Sequence, residues 1–450
     1  MPSAQNLIDE LLDESIRARQ RRVHITSSTE ATLYALKAVD AKLDENLRAL
    51  ASFGIGTLAI CEQRLDQASS AERDAAVHLL CAVAVQLPAS KQRDEAILNI
   101  VKRHWSTHKQ AVNDALWFFP VGLSEFDIRH DHVMLLIGQG DPNLQHIGVT
   151  LAACRGVMQA GPWVYDKLRE LGIASDGPLQ RACEMTLACL NLCLPQEQRL
   201  LALLKGADDA QRHALQLIAQ SGQARQLLDA PHYLSLTNTS DQTVQQLAWC
   251  LAALADPQAC ATALNGPLQL AVELRTRLGA LVGSPRALIH CVQAITAQDT
   301  PPHAEGSDAL LVLLGQVPVG VNQTPIEPLA RSAQLRTYVL QCLRHSHVNV
   351  NNEADVCPWE PAQFLAPESL TTATRLRYGQ RLHAPQPGCI PVEIASRLSA
   401  AMRQTLYWEQ ACARGHSFGF GLSAYANARM QYSVLNAAQW HDEHLAQRAA

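Results

Sequence analysis

The stretch Gly415-His416-Ser417-Phe418-Gly419 fits the G-x-S-x-G pattern with which α/β-hydrolases hold a nucleophilic serine on a sharp turn between a strand and a helix. Such an elbow needs a β-strand immediately before it. The residues that precede Gly415, AMRQTLYWEQACAR, have instead the composition and apolar spacing of a helix. The order serine, acid, histidine would also have to be completed in the last 33 residues, where Asp442 or Glu443 and then His444 are available and no room remains for a parallel sheet. The pattern is therefore read as a helix stop at Gly415 followed by a turn through Gly419 and Gly421, and no catalytic residue is assigned.

Two histidine clusters could suggest a metal, His130-Asp131-His132 and His441-Asp442-Glu443-His444, but neither has a third ligand at motif spacing. His345 and His347 fall at the end of a helix, where imidazole suits the carbonyl end of the dipole. No metal site and no cofactor are expected. Of the thirteen cysteines, Cys81, Cys154, Cys183, Cys189, Cys250, Cys291 and Cys342 sit among Ala and Leu, as small buried side chains do, and no C-x-x-C occurs. The run Arg17-Ala18-Arg19-Gln20-Arg21-Arg22 closes a helix that begins acidic, so it is read as a solvated helix end. Trp359 in CPWEP, with Arg375, Arg377, Tyr378 and Arg381, gathers the residue types that protein interfaces select. These five are the candidate partner-binding residues; docking of their own module onto the rest of the chain is the reading favoured for them, and the two roles are compatible.

The charge balance narrows the partners. With 37 Lys+Arg against 42 Asp+Glu the formal charge is -5, and the segment from Asp141 to Arg277 has no basic stripe, so nucleic acid is not an expected partner. No apolar run reaches the roughly 18 to 20 residues that span a bilayer, and the N-terminus lacks the early positive region of an export signal. A cytoplasmic location without membrane insertion is expected.

The elements that must carry these residues emerge from self-comparison. Asp141-PNLQHIG-V, Asp176-GPLQRAC-E and Asp241-QTVQQLA-W share an Asp, an apolar residue three later, then Gln, then a small residue. A weaker copy from Asp208 gives a period of about 33, which belongs to helical-repeat proteins. Asp141, Asp176 and Asp241 are predicted N-caps, with Pro142 and Pro178 tolerated in the first turn. Leu144, Gly148 and Leu151 recur as Leu179, Cys183 and Leu187 and as Val244, Ala248 and Leu251, one apolar stripe whose small central residue admits a neighbouring helix. Weaker copies start at Ser69, His108 and Asn265.

This layout resembles HEAT-like α-solenoids over about residues 70 to 295. The expected fold is all-α: a helical cap (1–68), HEAT-like repeats (69–298), a Pro-interrupted helical segment (299–345) and a smaller, partly irregular C-terminal module (346–450), whose residues 346–392 show no long periodic run. In that module CPWEPAQF, RLRYGQRL, Glu409 and GHSFGFGLSAYANARMQ resemble a group of proteobacterial HEAT-like proteins, some encoded beside type VI secretion components. The resemblance implies an accessory or adaptor that binds protein. The rival expectation is an enzyme, either a serine hydrolase through Ser417 or a HEAT-fold nucleic-acid enzyme.

Overall fold

The computed structural model describes residues 4–27, 33–117, 131–155, 157–174, 177–190, 196–264, 270–286, 304–315, 374–383 and 398–417, with a few isolated positions besides. The fold is all-α and built of helical repeats, with one short β-hairpin among the described residues. Its contacts separate two compact units, Met1–Cys193 and Leu194–Ser417. The division falls inside the stretch 69–298 that the sequence presents as one repeat run. Residues 4–67 share a single apolar cluster with the helices that follow, from Ile8 to Leu190, so they are part of that unit's core.

The first unit contains α1 (Ala4–Ser27), α2 (Leu33–Ser52), α3 (Thr57–Gln67), α4 (Arg73–Gln86), α5 (Lys91–His104), α6 (Lys109–Trp117), α7 (Asp131–Ile137), α8 (Pro142–Arg155), α9 (Val157–Ala174) and α10 (Pro178–Cys189). Its organising element is α4, in which every residue from Ala75 to Ala84 is buried. A helix that is apolar on all sides must be surrounded, and α4 packs against α1, α2, α3, α5 and α6.

The second unit contains α11 (Glu197–Leu204), α12 (Asp208–Ser221), α13 (Ala224–Leu227), α14 (Ala230–Ser235), α15 (Gln242–Ala255), α16 (Pro257–Leu264), α17 (Val272–Val282), α18 (Ala304–Leu314), β1 (Thr374–Arg377), β2 (Gln380–His383) and α19 (Ala400–Arg414). Here α15 plays the central part. It is buried from Leu247 to Leu254 and is packed by α12, α13, α14, α16, α17 and α19.

The repeat read from the sequence corresponds to helices that begin at Pro142, Pro178, Asp208 and Gln242. The Asp241 carboxylate accepts from the N–H groups of Thr243 (2.8 Å) and Val244 (2.9 Å), while its other oxygen takes Arg212 Nη2 at 2.6 Å, so the cap also ties α15 to α12. Asp141 caps α8 through Asn143 N at 2.9 Å. The second copy differs: Gly177, with φ +67, occupies the N-cap of α10 without a side-chain bond, and Asp176 lies outside the described residues. With the Asp-to-Leu spacing unchanged, proline stands one place later in this copy, so the helix starts one residue later and its cap falls on Gly177, in a backbone conformation that only glycine adopts freely.

The apolar stripe is buried at Leu144, Leu151, Leu179, Cys183, Val244, Ala248 and Leu251, and half-buried at Leu187. At Gly148 an added Cβ would lie 2.8 Å from Ile137 Cγ1 and 2.9 Å from Leu136 Cβ, so the absent side chain sets how closely α7 approaches α8. Thr186 Oγ1 donates to Val149 O at 3.0 Å and fastens the next repeat to this one. Replacing Ala248, fully buried on α15, with Leu is expected to overpack the second unit at a cost of about 1 to 3 kcal/mol. Thermal denaturation of Ala248→Leu beside Ala41→Leu, at an exposed α2 position, checks this, and only the former should lower the midpoint.

Candidate functional site

The C-terminal residues marked by the sequence meet the carbonyl end of α17. Strands β1 and β2 pair antiparallel, with Arg375 opposite Leu382, Leu376 opposite Arg381 and Arg377 opposite Gln380. The two-residue loop Tyr378-Gly379 has φ +50 and φ +77, the positive angles of a primed turn that follows the twist of the strands. RLRYGQRL is thus a hairpin where no long periodic run was expected. Its signal was the alternation of Arg and Leu on both sides of a turn dipeptide ending in glycine.

Alternation puts Arg375 and Arg377 on one face of β1. Both side chains are buried, and both donate to one oxygen of the buried Glu409 on α19, Arg377 Nη2 at 2.9 Å. Arg375 also donates to Leu281 O, and Arg377 to Ala280 O and Leu281 O. Two cations thus face one carboxylate. The last carbonyls of α17, which carry the negative end of the helix dipole, take up the remaining positive charge. Burial, reinforced by the like charge of Arg377, pulls the Arg375 guanidinium down to about 10, and Glu409 opposes this. The hairpin backbone completes the junction: Leu376 N donates to Gly283 O, Tyr378 N to Val312 O at 2.8 Å and Gly379 N to Leu313 O at 3.0 Å. Carbonyls at the ends of α17 and α18 that lack an intrahelical donor are thereby satisfied.

Of the five candidate partner residues, the structure brings Arg375, Arg377 and Tyr378 together and encloses both guanidinium groups, out of reach of an external partner. Tyr378 is half-buried in the turn. The backbone of Arg381 lies opposite Leu376, and its side chain, like all of Trp359, is outside the described residues.

Ser417 follows the end of α19. Gly415 terminates that helix with φ +76, in the left-handed conformation expected of a helix stop, so a helix and not a strand precedes the serine. Ser417 is buried, its Oγ lies 3.4 Å from Tyr407 Oη, and Tyr407 Oη in turn accepts from Gln220 Nε2 at 3.4 Å. Residues 418–450 are outside the described residues, including His441, Asp442, Glu443 and His444, as are His130, His345 and His347. Among the described residues no group of three or more His, Cys, Asp or Glu could hold a metal ion.

The basic run of α1 departs from expectation. The helix continues to Ser27, and Arg19 and Arg22 are buried inside the first unit. Arg19 pairs with Asp114 of α6, Arg22 Nε with Asp40 of α2 at 2.7 Å, and Arg22 Nη1 lies 3.9 Å from Asp114. Arg17 and Arg21 alone fit the solvated reading, because they fall on the opposite side of the helix. Beside the cluster His78 of α4 is fully buried, its Nδ1 3.2 Å from Ala111 O. Burial first, then the positive charges of Arg19 and Arg22, hold its pKa well below the usual imidazole range. Burial pushes the Asp114 carboxyl up and the Arg19 guanidinium down, and each partner's charge counteracts the shift of the other. The acids that draw the arginines inward lie on other helices, and no local pattern marks them.

The cysteines follow expectation where they are described. Cys81, Cys183, Cys189 and Cys250 are buried, and burial raises the thiols of Cys81 and Cys183 to about 12 and that of Cys250 to about 11. The side chains of Cys154, Cys291 and Cys342 lie outside the described residues.

The chain matches no protein-family profile, no curated protein and no solved structure. Fold and junction together define an all-α helical-repeat protein in which buried arginines join the helices of each unit. Among the described residues no helix is long and apolar enough to cross a membrane.

Glu409→Gln, which leaves two buried cations without their carboxylate, is expected to destabilise by about 3 to 5 kcal/mol. Asp13→Asn, which breaks a half-exposed 3.1 Å pair with Arg64, should cost under about 1 kcal/mol, and urea denaturation of the two variants checks the contrast. The folded protein excludes a proton from His78 that the unfolded chain accepts below about pH 6.5. Stability contributed by the neutral imidazole is therefore complete above that pH and falls by up to about 1.4 kcal/mol per pH unit below it. Denaturation midpoints between pH 7.5 and pH 5 should show this slope, flattened in His78→Asn.

Proposed function

We propose that the protein is a non-enzymatic scaffold or adaptor that binds other proteins, as stacked helical repeats do through their exposed faces. The observation that carries this reading is where the chemistry-bearing side chains are engaged. Arg19, Arg22, Arg375, Arg377, Asp40, Asp114 and Glu409 are buried and bind helix to helix in the first unit and hairpin to helix in the second, while large apolar side chains such as Phe53, Ile55 and Ile173 face solvent. Charged groups used in this way give stability and register, and exposed apolar groups are the usual material of a protein interface.

The adaptor role implied by the type VI secretion resemblance is the specific form of the proposal, with a secretion-system component as the first partner to test and the cytoplasm as its setting. Support for that form comes from the sequence resemblance alone. The surroundings of Ser417 fit the same reading, because its hydroxyl is enclosed beside Tyr407 after a helix stop. The purified chain should remain unlabelled by a fluorophosphonate probe and inactive on ester substrates. Stoichiometric labelling that disappears in Ser417→Ala would reverse the assignment in favour of a hydrolase.

A further inference from the structure

Among the described residues five large apolar side chains stand exposed: Leu7, Val23, Phe53, Ile55 and Ile173. Three of them share one end of the α1–α2 pair. Glu14 of α1 takes Lys42 Nζ at 3.2 Å and Asn46 Nδ2 at 3.1 Å, while Arg22 meets Asp40, so the two helices run antiparallel. Leu7 lies two turns before Glu14 and Phe53 two turns beyond Asn46, each about 10 Å further along the same direction. Leu7 therefore arrives at the turn Phe53-Gly54-Ile55-Gly56.

That turn is held in place by Phe53 N to Leu50 O at 3.2 Å, Gly54 N to Ala51 O at 3.0 Å and Thr57 N to Gly54 O at 3.1 Å, with Thr57 Oγ1 also on Leu50 O at 3.2 Å. A Cβ placed on Gly54 or Gly56 would meet nothing within 4 Å, so the approach is open. Phe53 and Ile55 are presented on fixed backbone, which lowers the entropy lost when a partner covers them.

The charges around this end are unequal. Lys42, Arg48 and Arg64 already face Glu14 (3.2 Å), Asp44 (2.6 Å) and Asp13 (3.1 Å). Glu10 is exposed one turn along α1 beside Leu7, and Glu45 is exposed on α2 with Lys42 no nearer than 3.9 Å. Carboxylates are in excess around an apolar tip. We infer that the Leu7, Phe53 and Ile55 end of the first unit is a docking surface for a cationic amphipathic segment of a partner protein, one that offers aliphatic side chains flanked by Lys or Arg. The inference rests on the scaffold reading above and deepens it. A second copy would bring like-charged rims together, and an anionic membrane or nucleic acid would be repelled.

The test titrates the full chain at physiological salt with a fluorescein-labelled amphipathic helical peptide of Leu and Lys, and with its Leu and Glu counterpart, read by anisotropy. The Lys peptide should bind and the Glu peptide should not. Phe53→Ser with Ile55→Ser, at exposed positions, should keep the thermal midpoint and weaken the Lys peptide at least about tenfold. Glu10→Lys should weaken it several-fold and reduce its salt dependence. Unchanged affinity in the Phe53 and Ile55 double variant, equal binding of the Glu peptide, or a sedimenting dimer dissolved by that double variant would each overturn the inference. A photo-cross-linker placed in the host cell at Ile55 or at the exposed Gln198 separates the two levels of the reading. Protein products from position 198 alone overturn this surface and leave the scaffold standing, whereas products from neither position together with a labelled Ser417 overturn the scaffold.

Discussion

A single oxygen of Glu409 receives two arginines, and the second unit depends on it. Without that carboxylate, Arg375 and Arg377 would be two like charges enclosed side by side, and the carbonyls of Ala280 and Leu281 alone would have to hold them. With it, hairpin, α17 and α19 are bound at one point, and each contributes what the others lack. The strand provides donors with fixed alternation, the helix end provides unsatisfied acceptors, and α19 provides the full negative charge. Exchanging the arginines for lysines would not preserve this arrangement, because each guanidinium reaches two or three acceptors through a planar fork.

The first unit solves the same problem with different partners. Its central helix α4 is lined with Ala75, Ala76, Ala82 and Ala84, and α15 carries Ala248, Ala252 and Ala253 in the second unit. A smooth alanine surface packs closely and offers little to fix how far one helix slides along another. Buried pairs set the register of the helices around α4, Arg19 with Asp114 between α1 and α6 and Arg22 with Asp40 between α1 and α2, since a slip of one turn would leave a charge enclosed without a counter-ion; α4 itself meets α6 through His78 and Ala111 O.

Features decided by neighbours in the chain were legible in the sequence. Capping by Asp141 and Asp241, the stop at Gly415 and the buried stripe through Cys183 and Ala248 depend on residues a few positions apart. What depends on distant partners was not legible. Arg19 and Arg22 look like any solvated helix terminus until Asp114, 95 residues away, is brought beside them. Arg375 and Arg377 look like interface residues until Glu409 and the end of α17 enclose them. The sequence marked the hairpin arginines and left two roles open, an external partner or the docking of their own module, because composition identifies residues that want a partner without saying which side of the surface it lies on; the contacts of Arg375 and Arg377 are of the second kind. The second copy shows the limit of local reading too, since a proline one place later in the same register puts the cap at Gly177.

The junction at α17 also imposes an order on biogenesis. Arg377 closes on Ala280 across 97 residues, and Glu409 lies a further 32 residues along the chain. Loop closure over such a span is slow compared with helix formation, and a chain emerging from the ribosome forms α15 and α17 long before their seal exists. Until residue 409 has been synthesised, the carbonyl end of α17 and the part of α15 against which α19 packs remain open to water and to other chains. The nascent protein therefore passes through an interval in which the central helix of its second unit is incompletely enclosed.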